Sequence, residues 1–97
     1  MIVRILGEGQ FRVDDDAATK LTALDKDLDA AVRDDQDAVF QAALRAAVAL
    51  VKTSGTPLAD EEIATAEFIL PFSDATIDEV RKLLADGTIT GDSIGLP

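Results

Sequence analysis

Nineteen carboxylates are the most abundant chemically able groups in this chain, and the two residue types that most often work beside them, histidine and cysteine, are both absent. Without imidazole there is no side chain whose ordinary pKa lies near neutrality, and without thiols there is no cysteine nucleophile, thiolate zinc site or disulfide. Catalysis by carboxylates alone would need one of them desolvated so that its pKa rises. Most stand beside other acids, as in Asp14-Asp15-Asp16 and Asp34-Asp35, a pattern that reads as solvated surface. Ser54, Ser73 and Ser93 lie outside any GxSxG, and no local signature pairs them with Lys20, Lys26, Lys52 or Lys82.

Two stretches imitate a calcium loop, and both fail at required positions. Asp25, Asp27 and Asp29 have the spacing of the first three ligands, but Ala30 stands where glycine makes the sharp turn and Gln36 where a bidentate glutamate closes the shell. The second, Asp86-Gly87-Thr88-Ile89-Thr90, would need its first two ligands from Lys82 and Leu84. Gly7-Glu8-Gly9 lacks the lysine and the helix N-terminus that cradle a phosphate. The residues therefore specify no catalytic group, no metal site and no cofactor site.

Charge limits what a partner, if any, could be. Nine Lys and Arg against nineteen acids leave a net charge of -10, which opposes nucleic acid and anionic lipid, whose affinity comes from cations on the protein. A partner, if any, should be basic or apolar. Hydrophobic residues make up 47% of the 97, enough for one folded domain, 1–97, with a core of Leu, Ile, Val and Ala because only four Phe and no Trp or Tyr are present. The opening MIVRIL is too short and too soon broken by Gly7 to act as a secretory leader, and no apolar run approaches the ~20 residues of a membrane span. The expected location is the cytoplasm, without direct insertion into a membrane.

The elements that must carry such a surface can be read from periodicity. Residues 37–52 form the central helix: at about 100° per residue, Phe40, Leu44, Ala47, Val48 and Val51 share a face that Val39, Ala43, Ala46 and Leu50 widen. The apolar arc spans roughly 200°, against the ~100° of an ordinary surface helix, and should need a helix on one flank and strands on the other. Ala42, Ala46 and Ala49 would let another helix approach closely, as internal packing, plain surface or a docking face. Before this helix, the Asp14 to Asp16 run caps a first helix whose Ala17, Leu21, Leu24, Leu28 and Ala31 form a narrow seam. Asp34-Asp35-Gln36 must turn between the two without a glycine, so one of them takes any left-handed position. Ser54-Gly55-Thr56-Pro57 ends the second helix, with Gly as its C-terminal cap and Pro as a stop signal.

Short apolar runs at 2–6 and 11–13 around two glycines predict a β-hairpin with Val3, Ile5, Phe11 and Val13 on the core side and Arg4 and Arg12 on the other. Phe68-Ile69-Leu70, ended by Pro71, reads as a further short strand. Thr76-Ile77-Asp78-Glu79 is a capping box opening a third short helix that Gly87 stops. The tail, 88–97, has no periodic face and is expected to be partly mobile. The expected class is α+β: a β-hairpin plus a later strand in a small sheet, packed on an antiparallel helical hairpin, with a third short C-terminal helix.

In its combination of MIVRILGEGQFRVDD at the start, LTALDKDLDAAV and AVFQAALRAAVALV in the helices, and SGTPLADEE and FILPFSDATIDEVRKLL later, the chain resembles the family of PspA-associated proteins over roughly residues 1–86. It departs at Asp34-Asp35-Gln36, where such proteins tend to carry a small residue or glycine, and after Gly87. The resemblance implies a non-enzymatic accessory that binds PspA, itself similar to helical coiled-coil proteins of the ESCRT-III type. It further implies action in the envelope stress response, at the membrane face through PspA. No catalytic motif is carried over. On that basis Ala42, Arg45, Ala46 and Ala49 are the first candidates for the partner surface, and the edge of the strand at 2–6 is the second. Two rivals stand beside it. A self-associating structural protein would dimerise through the wide face of the central helix, and homo-oligomerisation is left open. A small carboxylate enzyme would need a concave pocket holding an acid of raised pKa.

Overall fold

The computed structural model describes residues 1–59, 66 and 68–86. Expectations for the segment 60–65, for the stop at Gly87 and for the tail beyond it lie outside those residues. Strands β1 (Ile2–Ile5) and β2 (Gly9–Arg12) pair antiparallel, with Val3 opposite Phe11 and Ile5 opposite Gly9. The connection is shorter than its two glycines suggest, because Gly9 already belongs to the ladder. Positive φ at Gly7 (+83°) and Gly9 (+102°) makes the turn, and a Cβ on Gly7 would come within 3.0 Å of the Phe72 ring. Alternation holds, with Val3, Ile5, Phe11 and Val13 buried on one face and Arg4 and Arg12 exposed.

Helix α1 (Asp15–Arg33) starts at Asp14, whose carboxylate accepts a 2.9 Å bond from the Ala17 N–H. It ends in a Schellman arrangement: the Gln36 N–H reaches the Ala31 carbonyl at 2.9 Å, the Asp35 N–H reaches Val32, and Asp35 takes the left-handed conformation at φ +57°. The glycine-free turn thus closes on an aspartate. Helix α2 (Asp37–Ser54) returns antiparallel, burying Phe40, Ala43, Leu44, Ala47, Val48 and Val51. Side chains such as Leu28 and Leu44, both wholly buried, contribute about 1.5–3 kcal/mol each by leaving water. The arc buried on α2 is narrower than the sequence suggests, for Val39, Ala42, Ala46 and Ala49 remain exposed.

Gly55 follows α2 with φ -91° and ψ 162°, so it is not a left-handed cap. It is needed for space, since a Cβ there would collide with the Val51 carbonyl and stand 3.2 Å from Phe11 Cβ and Val13 Cγ1. Thr56–Pro57 then forms β3 on the free side of β2. The proline expected only to stop a helix therefore sits in an edge strand, where its missing N–H is tolerated. Strand β4 (Phe68–Leu70) pairs parallel to β1, Val3 beside Phe68 and Ile5 beside Leu70.

Among the described residues the sheet has four strands in the order β3-β2-β1-β4. This corrects one expectation. The strand at 2–6 has neighbours on both sides and offers no edge to a partner.

Helix α3 (Ile77–Ala85) is capped by the Thr76 hydroxyl, which accepts from the Glu79 N–H at 3.2 Å and meets the Glu79 carboxylate. Ile77 and Val80 enter the core. Arg81 ties α3 to the helical hairpin, donating to the Val32 carbonyl at 3.1 Å and pairing with Asp35 at 3.3 Å. A cation is thereby held at the negative end of the α1 dipole.

Candidate functional site

Because α1 and α2 pack along one seam, their outward flanks diverge and leave a groove of about 710 Å³ between them. Leu24, Ala30 and Ala31 form its α1 side, and Val39, Ala42 and Ala46 its α2 side. The floor is shallow and apolar because alanines occupy most of it. Val39 is 52% exposed, which with Phe72 at 43% makes these the most exposed large apolar side chains among the described residues. Asp27 and Asp34 stand on the α1 side of the groove. Both are exposed.

Of the four residues singled out in the sequence, Ala42 and Ala46 line the groove, whereas Arg45 and Ala49 are exposed on the same helix but are not part of its lining. Reading α2 alone missed the other half of the site. The available signal was the Ala30-Ala31 doublet beside Leu24, small residues placed where the first helix faces the alanines of the second. A smaller depression of about 320 Å³ lies near Arg4, Gln10 and Pro57, apart from these residues.

Carboxylates on the other flank of α1 behave differently from those at the groove. Asp25 and Asp29 are only 8% and 5% exposed. One oxygen of Asp29 is engaged by Arg33 one turn later, while Oδ1 of each aspartate is buried without a hydrogen-bond partner. Burial pushes the Asp25 carboxyl from 3.8 up to about 6. The expectation that these acids lie on a wet face is therefore corrected at two positions. Asp25 to Asp29 also lie within an unbroken helix, a backbone that cannot wrap a cation as a calcium loop does. Asp25, whose carboxyl is raised, is not among the residues that line the groove.

No helix among the described residues is long and apolar enough to cross a membrane. No group of three or more acids among them is placed to hold a metal ion. Comparison with curated proteins and with solved structures returns no match. A family model described as PspA-Associated protein matches residues 1–92.

Proposed function

Because the chain belongs to the PspA-associated protein family, we propose that it is a non-enzymatic accessory that binds PspA in the envelope stress response, in the cytoplasm and at the membrane face through PspA. The supporting observation is the α1–α2 groove, an apolar concavity whose Val39, Ala42 and Ala46 are left in water by the rest of the fold. Its concave shape and small side chains leave room for a helix to approach closely, which is what supports the reading. Arg45 and Ala49, exposed on the same helix outside the groove lining, belong to the same proposed contact.

The test is size exclusion with light scattering on the chain alone, on PspA from the same source, and on their mixture. A new co-eluting species that Ala46→Glu abolishes is the expected result. Two unaltered peaks at micromolar concentration would overturn direct binding to PspA, and a dimer of the chain alone, dissociated by Ala46→Glu, would replace it with self-association.

A further inference from the structure

The groove also carries information about what fills it. Resting on its reading as a binding face, we infer that it takes a basic amphipathic helix, about three turns long, which lies along the alanine floor with Lys or Arg over Asp27 and Asp34. The length follows from α1, where the lining runs from Leu24 to Asp34, about 15 Å at 1.5 Å per residue. The shape suits a helix because two packed helices present a trough between their ridges, and small side chains let a third axis approach to near 8 Å. Alanines on both walls, Ala30 and Ala31 facing Ala42 and Ala46, provide that clearance. Val39 stands beside them as the larger apolar contact.

Charge selects among helices. Asp27 on α1 and Asp34 at its C-terminal cap are seven residues apart, about two turns along one flank, so they match cations spaced i, i+7 along a partner helix. A second copy of this chain is disfavoured as occupant, since it would bring another ten negative charges to an acidic rim. A bilayer is disfavoured too, because a flat surface cannot reach a concave floor and anionic lipid is repelled by Asp27 and Asp34.

The experiment uses fluorescein-labelled peptides of about five helical turns. One has a Leu/Ala seam with Lys at i and i+7, the second the same seam with Glu for Lys, the third Lys with a Ser seam, and the fourth a central Pro in the first. Anisotropy is read with the protein, with Asp27→Lys/Asp34→Lys, and with Ala46→Glu, the fold of each variant being checked by thermal melting. We expect the Lys–Leu/Ala peptide to bind about tenfold or more tightly than the other three. Asp27→Lys/Asp34→Lys should reverse the Lys-over-Glu preference, and Ala46→Glu should abolish binding. Equal affinity for the Lys and Glu peptides, survival of binding in the Pro peptide, or displacement of the peptide by self-association would each overturn the inference. Binding to PspA is measured in parallel and separates the two readings. PspA capture lost in Ala46→Glu without any peptide preference would sink the basic-helix inference alone. Charge-dependent peptide binding without PspA capture would sink the PspA reading and leave the groove with its basic-helix specificity.

Discussion

Helix α1 carries aspartates on both flanks, and the two sets share little beyond their residue type. Asp27 and Asp34 border the groove in water, whereas Asp25 and Asp29 are closed in on the opposite side with an oxygen each unpartnered. Carboxylates two residues apart on one helix can differ from nearly neutral in energy to unfavourable, depending on what covers each face. The wet flank is free to serve a partner, whereas on the dry flank the raised carboxyl of Asp25 lowers stability at neutral pH.

The harshest way to break this contrast is Leu28→Ala, which empties the wholly buried seam position from which both flanks are held. It should lower the unfolding free energy by about 2–5 kcal/mol in urea titrations. Asp25→Asn sharpens the contrast instead, and its effect depends on pH. A folded pKa raised from 3.8 to about 6 means that the native state holds its proton more tightly than the unfolded chain. Stability from this group is therefore intact below about pH 4, falls as pH rises through 4 to 6, and stays reduced above that. At pH 7, Asp25→Asn should raise stability by on the order of 1–3 kcal/mol, and the gain should vanish near pH 3.5 in melts across a pH series.

A smaller effect is expected at the turn beside the groove. Asp35 holds φ +57°, so Asp35→Gly should stabilise by about 0.5–1 kcal/mol from relief of the left-handed strain, less the exposed contact with Arg81, read as a shift in the thermal midpoint. The least change belongs to the wet flank. Asp27→Asn with Asp34→Asn should alter stability by no more than about 0.5 kcal/mol in the same melts, and a larger loss would show that these acids also support the fold.

Local chemistry was the legible part of this molecule. The Asp14 cap, the Thr76 cap, the alternation in β1 and β2 and the apolar seams of both helices are written in residues a few positions apart. So was the need for an aspartate or glutamine to accept a left-handed turn. Tertiary relations were not. Gly55 resembles a helix cap in one dimension, yet it answers to Phe11 and Val13 across the sheet. Pro57 resembles a stop signal, yet its place depends on Phe11 lying opposite. Asp25 and Asp29 follow the acidic spacing of a solvated stripe, and nothing nearby in sequence shows that the face is covered. The groove was half legible for the same reason, since its α2 wall is a local pattern and its α1 wall matters only once the two helices meet.

The parallel pairing of β1 with β4 has a consequence for synthesis. During translation β1 gains β2 at once, and the helical hairpin can form next from contacts close in sequence. The other side of β1 waits for Phe68–Leu70. Until then a nascent chain presents an open, β-branched strand edge, Ile2 to Ile5, of the kind that recruits neighbouring chains. Strand β4 thus acts as a latch that closes this edge.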